Sequence, residues 1–475
     1  MAIQDLFQQP LKIINIGSPS FVADYDLQGV DHIHLDWKPP ANGDLALIRA
    51  LSELEPYRDQ IDAANREAVT RVKQSEARLV GIKLAKEVVP NLKDRMILHA
   101  GPWIRYEDMA GPVKGAIAGA ILYEGWAQTL EEAEVLAASN TITYEPCHEH
   151  AAVGPMAGVM SPSMPVHVIY NETYGNYAYC TVNEGLGKVL RFGANDESVL
   201  MRLRWIQEVF MPVMDEAIQL SGGIDIKNLV AQAVQMGDEC HNRNKASSAL
   251  FLREIVGSIM STHASREQQL AVVEFIRKNE HYFLNLSMPF AKVSMDAARE
   301  IPFSTLVTSM ARNGVEFGIQ ISATGSKWYT YQANYVQGLL FSGYRAEDAA
   351  RDLGDSTITE TRGIGGFAMG SAPAIVQFVG GRVADALNYS IQMNEICLDQ
   401  NENFTIPTLD FRPTAFGIDV LKVIETNVLP IINTGIAHKE AGVGQVGAGL
   451  VHPPYECFAK ALLAFVEQVR KDVQP

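Results

Sequence analysis

The sequence predicts an α/β plus α+β protein: an N-terminal Rossmann-like parallel α/β region over residues 1–195 with a small helical insertion near 44–90, then a helix-rich α+β domain over 196–475. Three observations carry this. The chain opens with strand-like, helical and again strand-like runs; beyond about Asn195 it turns to long amphipathic stretches; and strand-like runs return only from about residue 315.

In the opening unit, LKIINIG (11–17) is a β-branched run ending at Gly17, a helix comes next around Phe21–Leu27, and VDHIHLDW (30–37) is a second apolar strand. Only Gly17 stands in the first turn, so no GxGxxG dinucleotide fingerprint is present. Asp36 ends the second strand where a ribose-binding acid would sit, but its plainer role is to cap the turn before Pro39 and Pro40. From Asp44 to about Val89 the pattern is charged and helical, stopped by Pro90, and RMILHAG (95–101) is a strand. A small-residue helix, GPVKGAIAGAILYEGW, precedes strands at ITYEPC (142–147), VHVIYNE (166–172) and YAYCTVNE (177–184). Helices are expected over 198–220, 228–236 and 247–260, strands at 315–322 and 372–381, and closing helices near 416–427 and 455–470.

A chain of 475 residues has length for two or three domains, because single cores stop growing at roughly 250–300 residues. Its net charge of −16 argues against a nucleic-acid or anionic-membrane surface. Cys147, Cys180, Cys240, Cys397 and Cys457 form no CxxC pair, which fits a reducing compartment and suggests neither disulfides nor a cysteine zinc site. The start MAIQDLFQQP lacks the basic and apolar regions of a secretory signal, so a cytoplasmic protein is expected. The longest uncharged stretch, Gly363–Gly381, is rich in Gly, Ala and Ser and falls short of the roughly 20 strongly apolar residues a spanning helix needs; it reads as buried or ligand-lining loop.

Four polar clusters are candidates for function. MGDECHNRNKASS (236–248) crowds Asp238, Glu239, His241, Arg243 and Lys245 beside Asn242 and Asn244; as helix it would pair Glu239 with Arg243, whereas Gly237 suggests a stop with Asp238 capping the next element. A solvated helix junction is the plain alternative. EPCHEHAAVGPMAGVMSPSMPV (145–166) places His148 and His150 on a loop after a strand, suited to proton transfer or hydrogen bonding and lacking the usual metal-ligand spacing. DLGDSTITETRGIGGFAMGS (352–371) sets Asp355, hydroxyls including Thr361, and Arg362 before glycines, a composition for anions without a P-loop signature. TGIAHKEAGVGQVGAGL (434–450) leads His438 and Lys439 into a glycine run that serves close packing or an anionic ligand equally well.

These stretches, with LKIINIG and HLDWKPPANGD, resemble the YlbE/YahG-type bacterial family nearly end to end. The resemblance implies a subunit that works beside FdrA-type proteins, themselves similar to acyl-CoA synthetases, and in the AllG branch a subunit of oxamate carbamoyltransferase in anaerobic allantoin breakdown, splitting oxalurate with phosphate. It implies an FdrA-type partner, a further small subunit and a homo-oligomer; it brings no established catalytic residues. Such chemistry assigns Arg362 to phosphate, His150 or His241 to the proton, and Arg243 with Lys245 to the substrate carboxylate, with His148, Asn244, Asp355, Thr361, His438 and Lys439 around the substrate. No metal or cofactor is required. A CoA-dependent acyl ligase or transferase subunit, and a non-catalytic scaffold binding an anionic metabolite, are the competing expectations. Convergence of the four clusters on one pocket is a further expectation.

Overall fold

β1 (Lys12–Ile16) and β2 (Asp31–Leu35) run parallel around α1 (Val22–Leu27), as the alternating apolar runs predict. The computed structural model describes residues 12–35 and 37–473, so Asp36 lies outside the described residues. Among them this sheet has two strands, one β-α-β unit instead of an extended Rossmann-like sheet.

Asp44 caps α2 (Leu45–Leu54) through the amides of Ala46 and Leu47, and α3 (Arg58–Gln74) buries Ile61, Ala68 and Val72 along one stripe. The helical insertion ends sooner than the sequence suggests. Residues 77–84 form β3 (Ala77–Leu84), because Ala77, Leu79 and Ile82 are buried and the run finds a cross-strand partner; only α4 (Ala85–Val88) is helical after it. Next come β4 (Met96–His99), α5 (Gly111–Tyr123), α6 (Leu130–Ala137), β5 (Thr143–Pro146), β6 (Ala152–Val153), β7 (Val159–Met160), β8 (Pro165–Asn171) and β9 (Tyr177–Thr181).

The helix expected over 198–220 is α7 (Glu197–Trp205) and α8 (Met211–Ser221) joined by a π-helical turn. After β10 (Ile224–Asp225) come α9 (Ile226–Gln235), α10 (Lys245–Ile259), α11 (Arg266–Lys278) and α12 (Leu284–Asp296), then β11 (Val307–Asn313), β12 (Glu316–Ile321), β13 (Tyr329–Gln332), β14 (Gln337–Leu340), β15 (Leu353–Gly354) and the single turn α13 (Ile358–Thr361). The strand expected at 372–381 is instead a 3-10 turn opened by Pro373, α14 (Val376–Val379) and a stop at Gly380, whose φ is +85°. Proline lacks the amide a central strand needs, which favours the turn. The chain closes with α15 (Val383–Gln392), β16 (Cys397–Ile406), β17 (Arg412–Ile418), α16 (Val420–Thr426), β18 (Ile432–Ala437), β19 (Gln445–Val451) and α17 (Tyr455–Val473). Residues 416–418, expected as helix, belong to β17.

The architecture is mixed α/β with several sheets. A five-stranded sheet of order β10-β3-β8-β9-β6 carries α8 and α12 on it, so elements from both sides of residue 195 share a core containing Phe210, Phe251, Tyr282 and Phe290. Sheets of order β13-β12-β11-β15 and β14-β19-β18 lie further along, and all seven residues of β11 are buried. Three connections carry the polar clusters: 147–158 after β5, 236–244 between α9 and α10, and 438–444 between β18 and β19. No described helix is long and apolar enough to cross a membrane.

Candidate functional site

α9 stops where Gly237 takes a φ of +94°, and the chain enters a buried loop in place of helix. Asp238 Oδ2 then accepts from the backbone N–H of Ser247 (2.8 Å) and from its hydroxyl (3.0 Å), capping α10 across the loop. Glu239 is not paired with the Arg243 side chain as a helix would have it. Its carboxylate accepts the amides of His241 (3.0 Å) and Arg243, closing the loop on itself. Burial, added to by Glu360 and Asp238, pushes the Glu239 carboxyl up to about 8 against these two donors. Arg243 uses Nε, which donates to Gly237 O (2.9 Å) and lies 3.5 Å from Asp238 Oδ1; its Nη nitrogens make no hydrogen bond among the described residues.

This loop meets the 352–371 segment. Gly365 N–H donates to Glu239 O (2.7 Å), and the His241 ring reaches Glu360 Oε1 (2.8 Å). Glu360 is fully buried and also accepts from Gly366 N–H (2.9 Å) and Thr359 Oγ1 (3.0 Å). A carboxylate accepts here, so Nδ1 is the donor of this bond and the ring is oriented by it, with Nε2 on its far side. Gly365 is required here: a Cβ would stand 2.3 Å from Glu360 Oε1 at a φ of +63°.

The loop also forms one wall of a cavity of about 360 Å³, where Asn242, Arg243, Asn244 and Lys245 meet His281, Gln445 and the apolar Phe341, Ile375 and Phe378. Two amide atoms at this wall are buried without a partner among the described residues: Asn242 Nδ2 and Asn244 Oδ1. Asn244 Nδ2 donates to His241 O (2.6 Å), which fixes Oδ1 as a free acceptor. Burial, with Arg191 and His241 nearby, lowers His281 to about 4, so its ring is neutral. Lys245 stands at the rim, 2.9 Å from Glu280.

The other expected residues lie apart from this cavity. Asp355 accepts the amides of Gly101 (2.7 Å) and Gly154 (2.8 Å), has His148 Nε2 at 3.5 Å, and is pushed up to about 7 by burial, all in a closed interior. His150, expected at the proton, is held between Pro90 O and Glu145 Oε2, both at 2.7 Å. Arg362, expected at phosphate, is fully buried with its Cζ 5.3 Å from the Phe290 and Phe404 rings and 5.6 Å from Phe416, so it is walled off by the core. Thr361 spends its hydroxyl on Ile358 O (2.6 Å). Lys439 donates to Glu347 O (2.6 Å), and His438 Nδ1 accepts from Glu440 N–H (2.9 Å); Lys439 lines a separate cavity. Convergence is thus partial, bringing 238–245 to Glu360 and to Val443 and Gln445 of the glycine-rich segment. Sequence reasoning misses Glu360 and Gln445. Glu360 is the one acid among the hydroxyls and glycines of TITETRGIGG, and that isolation is a signal the sequence does carry.

No group of three or more His, Cys, Asp or Glu among the described residues is arranged to hold a metal ion. Comparison with known proteins fixes the relationship. The chain is 48% identical to the uncharacterized protein YahG of Escherichia coli K12 over 467 residues, covering 98% of this chain and 99% of that one. It belongs to the YahG/AllG family. The profile of oxamate carbamoyltransferase subunit AllG matches residues 142–356. The Escherichia coli K12 protein of that name is 44% identical over 409 residues, 86% of this chain and 98% of its own. A conserved Enterococcus faecalis V583 protein of unknown function has a crystal structure with a TM-score of 0.85 and 52% identity, covering 86% of this chain and 98% of that one. The 238–245 loop, His148, His150 and Asp355 all fall within the span that the AllG profile matches, whereas Glu360 lies just past it.

Proposed function

We propose that this member of the YahG/AllG family is a carbamoyltransferase subunit that binds a ureido acid such as oxalurate and, with an FdrA-type partner and a further small subunit in the cytoplasm, supports its phosphorolysis to carbamoyl phosphate and an amide such as oxamate. The observation that carries this reading is the cavity wall at 242–245, where the Arg243 Nη nitrogens, Asn242 Nδ2 and Asn244 Oδ1 have no hydrogen-bond partner among the described residues, next in the chain to His241 held by Glu360. The relative named as an oxamate carbamoyltransferase subunit supplies the reaction class.

Each group then has a task. Arg243 holds the substrate carboxylate as a fork, Asn242 Nδ2 donates to the carbonyl oxygen as it becomes tetrahedral, and Asn244 Oδ1 accepts from the terminal carbamoyl nitrogen. A phosphate oxygen bonds to the carbamoyl carbon and the C–N bond breaks, its electron pair staying on nitrogen. His241 Nε2 takes the proton of hydrogen phosphate and passes it to that nitrogen, which balances the step. Lys245 at the rim faces incoming phosphate.

The test is phosphate-dependent release of carbamoyl phosphate by the reconstituted complex over a panel of ureido acids. Arg243→Lys keeps the charge and loses the fork, so kcat/KM should fall about 10–100-fold, roughly 1.5–3 kcal/mol, with the denaturation midpoint unchanged. Arg71→Lys, at a part-exposed position of α3 that pairs with Glu67 and does not line the cavity, should leave kcat/KM unchanged. Full activity in Arg243→Lys would sink the assignment.

A further inference from the structure

The cavity beside His241 has a second wall that oxalurate gives no reason for. Ile375 and Phe378 come from the turn and helix at 373–379, and Phe341 stands just after β14, so apolar side chains from two other elements face the same space as Arg243, Asn242 and Asn244. Ile375 is 1% exposed, whereas Phe341 and Phe378 are each nearly half exposed, at 45% and 47%. Two half-exposed aromatic rings on a cavity wall are surface that a ligand gains by covering. Oxalurate carries no apolar group to place there: it is carboxylate, carbonyl and urea throughout.

We infer that the substrate of this chain is a ureido acid with a sizeable apolar side chain, the class of N-carbamoyl amino acids with branched or aromatic substituents, its carboxylate on Arg243 and its side chain against Phe341, Ile375 and Phe378. This rests on the reading of the site as a carbamoyl-transfer centre and adds the substrate class. The step balances as before: phosphate oxygen bonds to the carbamoyl carbon, the C–N bond to the amino acid breaks, and the proton of hydrogen phosphate ends on the departing amine. The charge pattern fits as well. Arg243 faces Asp238 through Nε alone and its Nη nitrogens make no hydrogen bond among the described residues, whereas Lys245 is matched by Glu280, so the Nη edge is the place on this wall for one carboxylate. A dicarboxylate would leave its second charge on the aromatic wall, where desolvation opposes it.

Titration calorimetry of the full chain with N-carbamoylglycine, N-carbamoyl-leucine, N-carbamoyl-phenylalanine and oxalurate, alongside phosphorolysis of the same four by the reconstituted complex, decides the matter. Expected is at least a tenfold tighter Kd, and a matching gain in kcat/KM, for the leucine and phenylalanine compounds over the glycine compound. In Phe378→Ala that ratio should narrow about tenfold, and in Arg243→Met binding of all four should be lost. Equal affinities across the series, or an unchanged ratio in Phe378→Ala, would overturn the substrate class while leaving the carbamoyl-transfer reading intact if oxalurate is still split. Loss of partner co-elution in Phe378→Ala with an unchanged ratio would assign the aromatic wall to a protein contact and overturn the inference. If the complex releases carbamoyl phosphate from none of the four, the reading of the site itself fails.

Discussion

The loop at 238–247 and the unit β1-α1-β2 invert each other's chemistry. In the loop, carboxylates are buried and answered by amides and hydroxyls: Asp238 by Ser247, Glu239 by the amides of His241 and Arg243, and Glu360 beyond it by Gly366 and His241. In the N-terminal unit apolar side chains stand in solvent, with Ile14 65%, Ile33 62% and Leu27 85% exposed. Both regions have the backbone that local pattern predicts. What differs is the surroundings: the loop is wedged between α10, α12 and the 352–371 segment, whereas among the described residues the two strands are covered chiefly by the short helix α1. Polarity along a sequence therefore specifies local geometry, and burial is decided by what packs against it.

The largest loss is expected where a buried charge is deprived of its partner. Arg312 is fully buried on β11, holds the 352–371 segment through Asp352 (2.8 Å), Gly354 O (2.7 Å) and Ser356 Oγ (3.1 Å), and ties it to β18 through Thr434 Oγ1 (3.0 Å). Arg312→Met leaves the Asp352 carboxylate enclosed and unpaired, which should cost about 3–5 kcal/mol in urea denaturation. A loss under about 1 kcal/mol would show that this interior is wet and its polar groups are not structural.

A second effect distinguishes the loop by pH. The folded chain keeps a proton on Glu239 up to about pH 8, whereas the unfolded chain releases it near the ordinary value of 4.5. The native state thus binds more protons between these values, so stability falls as pH rises across that window, by at most about 1.4 kcal/mol per pH unit from this group. Glu239→Gln removes the term. Whatever constant offset the substitution brings, its stability relative to the parent chain should climb between pH 5 and pH 8 in urea titrations. Parallel curves would mean that the carboxylate is ionised in the folded state and that the loop's amides outweigh its burial.

The same division governs how much of the molecule is legible in the sequence. The amphipathic helices α3 and α17 and the apolar runs of α5 and β8 stand close to where the pattern puts them. Residues 77–84 and 372–381 depart from the pattern's expectation, because a short apolar run does not distinguish strand from helix until its neighbours are known. The crowding of MGDECHNRNKASS is legible as placed polarity, yet the partner of His241 is not: Glu360 is 119 positions away, and only the fold makes the pair. Arg362 misleads for the opposite reason. Its hydroxyl and glycine neighbours look like an anion site, but Phe290, Phe404 and Phe416, distant in sequence, close over it.

The smallest effect is expected in the N-terminal unit. Leu27, at the end of α1, is 85% exposed, so a serine there removes little apolar surface from contact and leaves no cavity. Leu27→Ser should keep the free energy of unfolding within about 0.5 kcal/mol of the parent chain, the range of ordinary surface changes. In α12, where Phe290 is fully buried, Phe290→Ala should instead cost about 3–5 kcal/mol by the same measurement. Both side chains are large and apolar and both sit on helices, so burial alone separates the two outcomes. A loss of 2 kcal/mol or more for Leu27→Ser, independent of protein concentration, would mean that α1 packs against the rest of its own chain in solution; a loss that grows on dilution would mean that a second chain covers it. Either result would make the exposed strands and helix an interior surface, and the inversion between the two regions would disappear.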